Sequence, residues 1–351
     1  MLGIVAAVVG FVASRGSNAR GDSTPKQTAD SSTASPITEI LAVMNHYRTL
    51  EHLDPLTESQ SDSRDAAKHA RYIVENKLGP GDFTIDAGQV KREMSSTVHN
   101  EERGNPYYSI AGASVASRSN VFTATAVPSD VQPLIDRLMT SPRSTMVVLE
   151  PTLVSLGYGD YCADGHCAAV IAYNYDQSPA RLASEFKLTA ATVRHDVLAD
   201  PEINGSGDSV RTYLKSPIQF PPPDGTFPLG SYDGGREIDD PLSPCAGYKA
   251  PTGLPIVLSL GEGLNEAAAI KLDSYSLTEG DQPLESCGYD AFSYTNPKSE
   301  IQDAGRRLLR RTLTAVVIPR APLKAGFTYS ISMTADSTEY KWSFKIEPDS
   351  R

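Results

Sequence analysis

Three segments near the start of the chain carry apolar residues three and four positions apart, the spacing of one helix face. They are SPITEILAVMNHYRTLEHL from Ser35, TESQSDSRDAAKHARYIVENK from Thr57 and SDVQPLIDRLMTS from Ser129. Each begins with a residue that suits a helix N-cap, and Pro36 stands at the first helical position. The pattern therefore predicts three amphipathic helices, the second opened by a capping box from Thr57 to Gln60.

After Pro142 the apolar pattern changes to that of strands. The segment TMVVLEPTLVSLGYGDYCADGHCAAVIAYNYD indicates short strands broken at Pro151 and at the ADG turn. Beyond Pro241, apolar and polar residues alternate in LPIVLSL, AAIKLDSYSL, TLTAVVIP, FTYSISMTA and YKWSFKI. The sequence thus predicts an α+β fold: three helices packed on an antiparallel sheet, followed by a small all-β sandwich.

The chain has 351 residues, more than one ordinary hydrophobic core organises, so we expect two domains with extensions. The first residues are apolar and uncharged, but this run is shorter than the ~20 residues that a membrane-spanning helix needs. The predicted parts are a signal peptide or anchor stub (1–13), a disordered tether (14–35), the α+β domain (36–176), a linker with partial structure (177–240) and the β-sandwich (241–349).

Charge narrows the choice of partners. The net charge of -11 and the pI of about 5.1 argue against nucleic acid or anionic lipid as the main partner. One basic cluster, RRLLRR at Arg306–Arg311, is interrupted by two leucines, and we interpret it as the solvated rim of a helix or loop. The oligomeric state is left open.

Four cysteines divide evenly between the two predicted domains. A bond between Cys162 and Cys167 would hold the tip of a β-hairpin, and Cys245 with Cys287 would staple the sandwich. Disulfides persist in oxidising compartments, so we expect an extracytoplasmic protein, secreted or tethered by its N-terminus. The alternative for CADGHC is a zinc knuckle, but three ligands without a second cluster make a poor site.

The segment VHNEERG suggests the clearest candidate metal ligands. His99 stands two and three residues before Glu101 and Glu102, and these side chains are the candidate ligands of a divalent metal, the only cofactor that we consider. Such spacing on a loop could offer two of the ligands at once, and no further ligand is obvious nearby. The alternative is that both glutamates are solvated and His99 hydrogen-bonds the backbone.

Residues Pro36–Asp176 resemble the CAP superfamily (cysteine-rich secretory, antigen 5 and pathogenesis-related proteins) in its bacterial secreted form. The resemblance rests on NHYR in the first helix, VHNEERGNPYYSIAG, SNV before the third helix and MTSPRSTMVVLEPTLVSLGYG. It implies an α-β-α sandwich and an extracellular protein. It also implies a cleft where two histidines and two acidic residues meet, which binds a divalent metal in many members.

Carried over by position, His99 matches the first histidine of that cleft. Ser144 occupies the place of the second histidine, and Asp136 is a candidate remnant of one acid. The family's glutamate should fall in AGASVASRS, which has no acidic residue. The candidate catalytic residues are therefore His99, Asp136 and Ser144, and no Gly-x-Ser-x-Gly elbow presents the serine.

The last part of the chain resembles bacterial Ig-like or fibronectin-like modules, through the Leu-x-x-Gly-x-x-Tyr corner within Ala321–Ala335 and the closing strand YKWSFKI. Our leading hypothesis is an exported, non-enzymatic protein with a degenerate cleft, which binds a lipid, glycan or protein at or outside the cell envelope. The alternatives are a metal-dependent or hydrolytic enzyme that uses the His99 cleft, and a purely structural envelope protein.

Overall fold

The computed structural model describes residues 35–81, 83–86, 89–92, 96–126, 130–187, 211–234, 240–263 and 267–348. Residues Ser35–Arg351 form one compact unit. The part of the chain that is described contains seven α-helices and eighteen β-strands, so the predicted α+β class is confirmed. Among these helices, none is long and apolar enough to cross a lipid bilayer.

The elements follow one another along the chain with these bounds. The helices are α1 (Pro36–Leu50), α2 (Gln60–Glu75), α3 (Ile110–Ala116), α4 (Gln132–Met139), α5 (Pro142–Val148), α6 (Pro179–Glu185) and α7 (Ser299–Arg311), with a 3-10 helix at Ser96–His99. The strands are β1 (Thr57–Glu58), β2 (Phe83–Asp86), β3 (Gln89–Arg92), β4 (Ser119–Ala124), β5 (Leu153–Ala163), β6 (His166–Tyr175), β7 (Phe186–Lys187), β8 (Arg211–Phe220), β9 (Thr226–Phe227), β10 (Ser231–Tyr232), β11 (Thr252–Gly253), β12 (Ile256–Gly263), β13 (Leu272–Glu279), β14 (Gln282–Pro283), β15 (Ser286–Tyr289), β16 (Thr314–Pro319), β17 (Thr328–Ala335) and β18 (Thr338–Ile346).

We call residues 35–176 the first half and residues 177–348 the second half. The first half is built on a six-stranded sheet of order β1-β5-β6-β4-β2-β3. The sheet is mixed rather than antiparallel as predicted, because β1 runs parallel to β5 and β2 parallel to β4. Successive residues of β6 point to opposite faces of the sheet. Val170 packs in the apolar cluster that includes α2 and α3, and the next residue, Ile171, packs in the cluster that includes α1, α4 and α5. Helices therefore cover both faces of this sheet.

Helix α2 lies unusually close to strand β5. A Cβ atom added at Gly159 would come within 2.1 Å of the backbone nitrogen of Ala67, so only glycine fits there. The helix is capped by Ser59, whose Oγ accepts the Asp62 backbone N–H at 3.3 Å. The predicted cap was wrong, because Thr57 pairs with β5 as part of strand β1.

Helix α5 occupies a segment that the β-branched run in TMVV predicted as a strand. Ser141 caps it by accepting the Ser144 backbone N–H at 3.4 Å, and Pro142 stands at its first position. Met146 and Val148 are buried in the core between the halves. Capping and burial therefore override the local β-propensity.

The second half contains two five-stranded sheets of orders β15-β16-β12-β8-β7 and β14-β13-β17-β18-β9. Strands β7 and β8 come from the segment predicted as a linker, and helix α7 interrupts the segment predicted as all-β. The helix is fixed by burial: Leu309 is 3% exposed. A Cβ atom at Gly305 would come within 2.5 Å of the Tyr294 ring.

One apolar core continues through both halves. The ring of Tyr47 in α1 lies 5.5 Å from the ring of Phe227 and 6.5 Å from that of Phe220, between centroids. Thr312, after α7, donates to the sulfur of Met146 in α5 at 3.0 Å. The two predicted domains thus share buried side chains.

Both predicted disulfides are confirmed. Cys162 and Cys167 stand directly opposite each other in the β5–β6 hairpin, with Cα atoms 4.1 Å apart. The bond between Cys245 and Cys287 joins the chain before β11 to strand β15, across a sequence separation of 42 residues.

Candidate functional site

His99, the clearest candidate in the sequence, ends the 3-10 helix and is half-buried. Its Nδ1 atom lies 3.0 Å from the backbone oxygen of Ala116 in helix α3. Because a carbonyl oxygen only accepts hydrogen bonds, Nδ1 carries the hydrogen. His99 therefore attaches the loop to the end of α3.

A second histidine, His69 of helix α2, forms the most enclosed polar contact of this region. Its Nδ1 lies 2.9 Å from Oε1 of Glu101, and both side chains are 0% exposed. Its Nε2 lies 2.8 Å from the backbone oxygen of Val98 and must donate to it. The two residues stand 32 positions apart in the sequence, and no sequence pattern pairs them.

Glu101 uses both carboxylate oxygens. While Oε1 faces His69, Oε2 accepts the backbone N–H of Ser109 at 2.9 Å. The Ser109 hydroxyl in turn caps α3 by accepting the Gly112 N–H at 2.9 Å. A Cβ atom at Gly112 would come within 2.2 Å of Oε1 of Glu101. The missing side chain at Gly112 thus makes room for the carboxylate.

The metal set His99, Glu101 and Glu102 is not assembled. Glu101 points inward to His69, whereas Glu102 is exposed. Across the described ranges, no group of three or more His, Cys, Asp and Glu side chains could hold a metal ion. The physical reason is that the loop turns its two glutamates in different directions.

Asp136 and Ser144 lie on helices that pack on the other face of the first sheet. Val98, beside His99, belongs to the apolar cluster of α2 and α3, whereas α4 and α5 bury their residues with α1. Oδ1 of Asp136 accepts the Tyr47 hydroxyl at 2.6 Å, and burial raises the pKa of this carboxyl. The candidate catalytic residues are therefore separated by the sheet.

The NHYR motif is structural. The guanidinium of Arg48 is 0% exposed. It donates to four backbone oxygens, those of Asp54, Val148, Glu150 and Leu153, at 2.8–3.0 Å. The Asn45 side chain makes two hydrogen bonds with the backbone of Leu56. These contacts fix the turn after α1 and the entry to β5.

Three acidic side chains lie at the junction of the halves: Glu51, Glu150 and Glu262. No sequence pattern pointed to them. Glu51, at the end of α1, accepts the backbone N–H of Gln219 in β8 at 3.2 Å, and burial raises its pKa to about 8. Burial, followed by repulsion from Glu150, raises the pKa of Glu262 to about 7. Burial also raises the pKa of Glu150, against the opposing effect of Arg311.

The junction also contains a cavity, but it is too small for an organic ligand. Glu150, Phe186, Leu214 and Ser259 are among its lining residues, and it has room for about one water molecule. The junction is therefore packed, and of the three acids Glu150 lines its cavity.

CADGHC, the alternative zinc knuckle, holds no metal site among the described residues. In CADGHC both cysteines are oxidised, and Nε2 of His166 lies 3.3 Å from the backbone oxygen of Leu78. The acidic segment at residues 237–240 could bind Ca²⁺ by its sequence, but Glu237 and Asp239 lie outside the described residues. Asp240 accepts the N–H of Leu242 at 2.9 Å.

No protein-family model and no curated protein matches the chain.

Proposed function

We propose that the chain is an exported, non-enzymatic binding protein, made of a CAP-type domain with a degenerate cleft and an Ig-like β-sandwich. One observation carries the non-enzymatic part: His69 and Glu101 are fully enclosed and satisfy each other. Catalytic acid–base groups must reach a substrate within hydrogen-bond distance. A sealed pair has no such access, and Asp136 and Ser144 lie beyond the sheet.

Two observations support the proposed architecture. Helices cover both faces of the first sheet, as the resemblance to CAP proteins implies. In the second half, the backbone N–H of Lys324 donates to the Tyr329 hydroxyl at 2.7 Å, and Gly326 between them has φ +81°. This local arrangement suits the tyrosine corner of Ig-like modules.

Export is supported by the two disulfides, because such bonds form and persist in oxidising compartments. The ligand would be a lipid, a glycan or a protein at or outside the cell envelope. Such a ligand would bind on the surface, because the junction cavity has room for only about one water molecule.

Calorimetric titration of the full chain with Zn²⁺, Mg²⁺ and Ca²⁺ tests the non-enzymatic proposal. We expect no saturable binding with a Kd tighter than about 100 µM, a free energy of roughly -5.5 kcal/mol. The His99→Ala variant should give the same flat titration. Micromolar binding that this change abolishes would instead favour the metal-dependent enzyme.

A further inference from the structure

Four arginines occupy the last two turns of helix α7: Arg306, Arg307, Arg310 and Arg311. At about 100° per residue, they span an arc of roughly 140° around the helix. The buried residues Gly305 and Leu309 lie on the opposite side. We call this arc the arginine face.

Three of the four arginines of the arginine face, all but Arg310, form no ion pair with the described carboxylates, in a chain that has 43 acidic and 32 basic residues. Six arginines elsewhere each form an ion pair with a carboxylate: Arg71, Arg118, Arg137, Arg181, Arg211 and Arg320. In contrast, no carboxylate of the described residues lies within the 4.0 Å ion-pair distance of Arg306, Arg307 or Arg311.

Contacts within the fold explain some of these arginines, but not Arg307. Arg306 donates to the backbone oxygens of Tyr294 at 2.9 Å and Phe292 at 3.3 Å, which anchors the helix. Arg311 acts electrostatically on the buried Glu150. Arg307 is exposed and has neither role. Like charges four residues apart, as in Arg307 and Arg311, destabilise a helix, and Asp303, four residues before Arg307, offsets this.

Arg143 of helix α5 lines a concavity together with Gly305 and Leu308, on the side of α7 that faces away from the arginine face. The arginine face therefore belongs to α7 alone. The net charge of -11 opposes anions at long range, but charges beyond about 8 Å are screened at physiological salt, so the nearby arginines dominate at the contact.

We propose that the arginine face binds a linear anionic polymer with repeating phosphate groups. Such a polymer can contact several guanidinium groups at once, each as a charge-assisted hydrogen bond. A bilayer surface fits less well, because a membrane-bound helix needs an exposed apolar face. In α7 that face is buried through Leu309, which is 3% exposed.

The proposal rests on the exported binding role, but its test is independent of the metal titration because the two experiments concern different surfaces. Full-length protein is titrated with fluorescent inorganic polyphosphate. We expect saturable binding whose Kd weakens about 20- to 50-fold between 50 and 200 mM salt, as three or four phosphate contacts predict. Neutral dextran should not bind.

The variant R307Q/R310Q should bind at least about tenfold more weakly at 50 mM salt, with a shallower salt dependence. The matched control R211Q/R320Q has the same change of net charge and should stay within about twofold. If the first variant melts early, R307Q alone should still weaken binding about threefold. Absent polyphosphate binding, equal losses in both double variants, an unchanged R307Q, or binding only to anionic vesicles would overturn the proposal.

Discussion

At the scale of single residues, Glu101 shows how a residue that resembles a metal ligand can serve the fold. Its two oxygens join α2, through His69, to the start of α3, through the Ser109 backbone. Removing one partner of such a buried contact leaves the other group desolvated and unpaired. The carboxylate fits only because Gly112 has no side chain.

We therefore expect Gly112→Ala to destabilise the protein by about 1–3 kcal/mol, the usual effect of overpacking a tight site. The new methyl would lie 2.2 Å from Oε1 of Glu101 and 2.8 Å from Oγ of Ser109, so the carboxylate must move. Urea denaturation measures the change. The control is Ser114→Ala on the exposed side of the same helix, which should stay within about 0.5 kcal/mol. Equal stabilities would contradict this packing.

At the scale of elements, strong periodic patterns predicted structure well. The α1 segment has Pro36 at its first position and apolar residues at helical spacing, and the helix forms as predicted. The turn at Asp164–Gly165 joins β5 to β6, and strands β16, β17 and β18 match the alternating segments. In each case the local preference agrees with the burial that the fold provides.

Four of the seven helices of the described residues, α3, α5, α6 and α7, were not predicted. In α5, the β-branched residues predicted a strand, but the Ser141 cap and burial of Met146 favour a helix. In α7, the apolar residues Ile301, Ala304, Leu308 and Leu309 follow helical spacing, but RRLLRR was interpreted as a solvated rim within an all-β segment. Local propensity alone is a weak guide in such segments.

The candidate site was the least predictable part. His69 and Glu101 are 32 residues apart in sequence, and their contact requires both α2 and the loop to be placed. The location of the loop was suggested by the resemblance, but the inward direction of Glu101 was not. Nor could any pattern place Asp136 and His99 on opposite sides of the sheet.

The two disulfides should contribute differently because they close loops of different length. In the chain-entropy model, the bond between Cys245 and Cys287, with a separation of 42 residues, stabilises by about 4 kcal/mol. The bond between Cys162 and Cys167, with a separation of 5, stabilises by about 2 kcal/mol. Denaturation of the two double Cys→Ala variants should show this order. A larger loss from opening the hairpin bond would contradict it.

At the scale of the whole molecule, the two halves are joined by a core that continues from α1 into the second half. Acidic side chains lie at this junction. Burying them in the ionised form costs free energy, because a charged carboxylate loses its hydration there. Oε1 of Glu51 has no hydrogen-bond partner among the described residues. The junction should therefore be most stable when its carboxyls are protonated.

This arrangement predicts that stability falls as the pH rises. The pKa of Glu51 is about 8 in the folded state against an ordinary value of 4.5, so the folded protein holds this proton more tightly than the unfolded chain. The contribution is complete below pH 4.5 and is lost progressively up to about pH 8. Melting temperatures at pH 5, 7 and 9 should decline in the wild type. Glu51→Gln, which cannot ionise, should flatten the decline and melt higher than the wild type at pH 9. Parallel pH curves for the two proteins would show that Glu51 is not the group responsible.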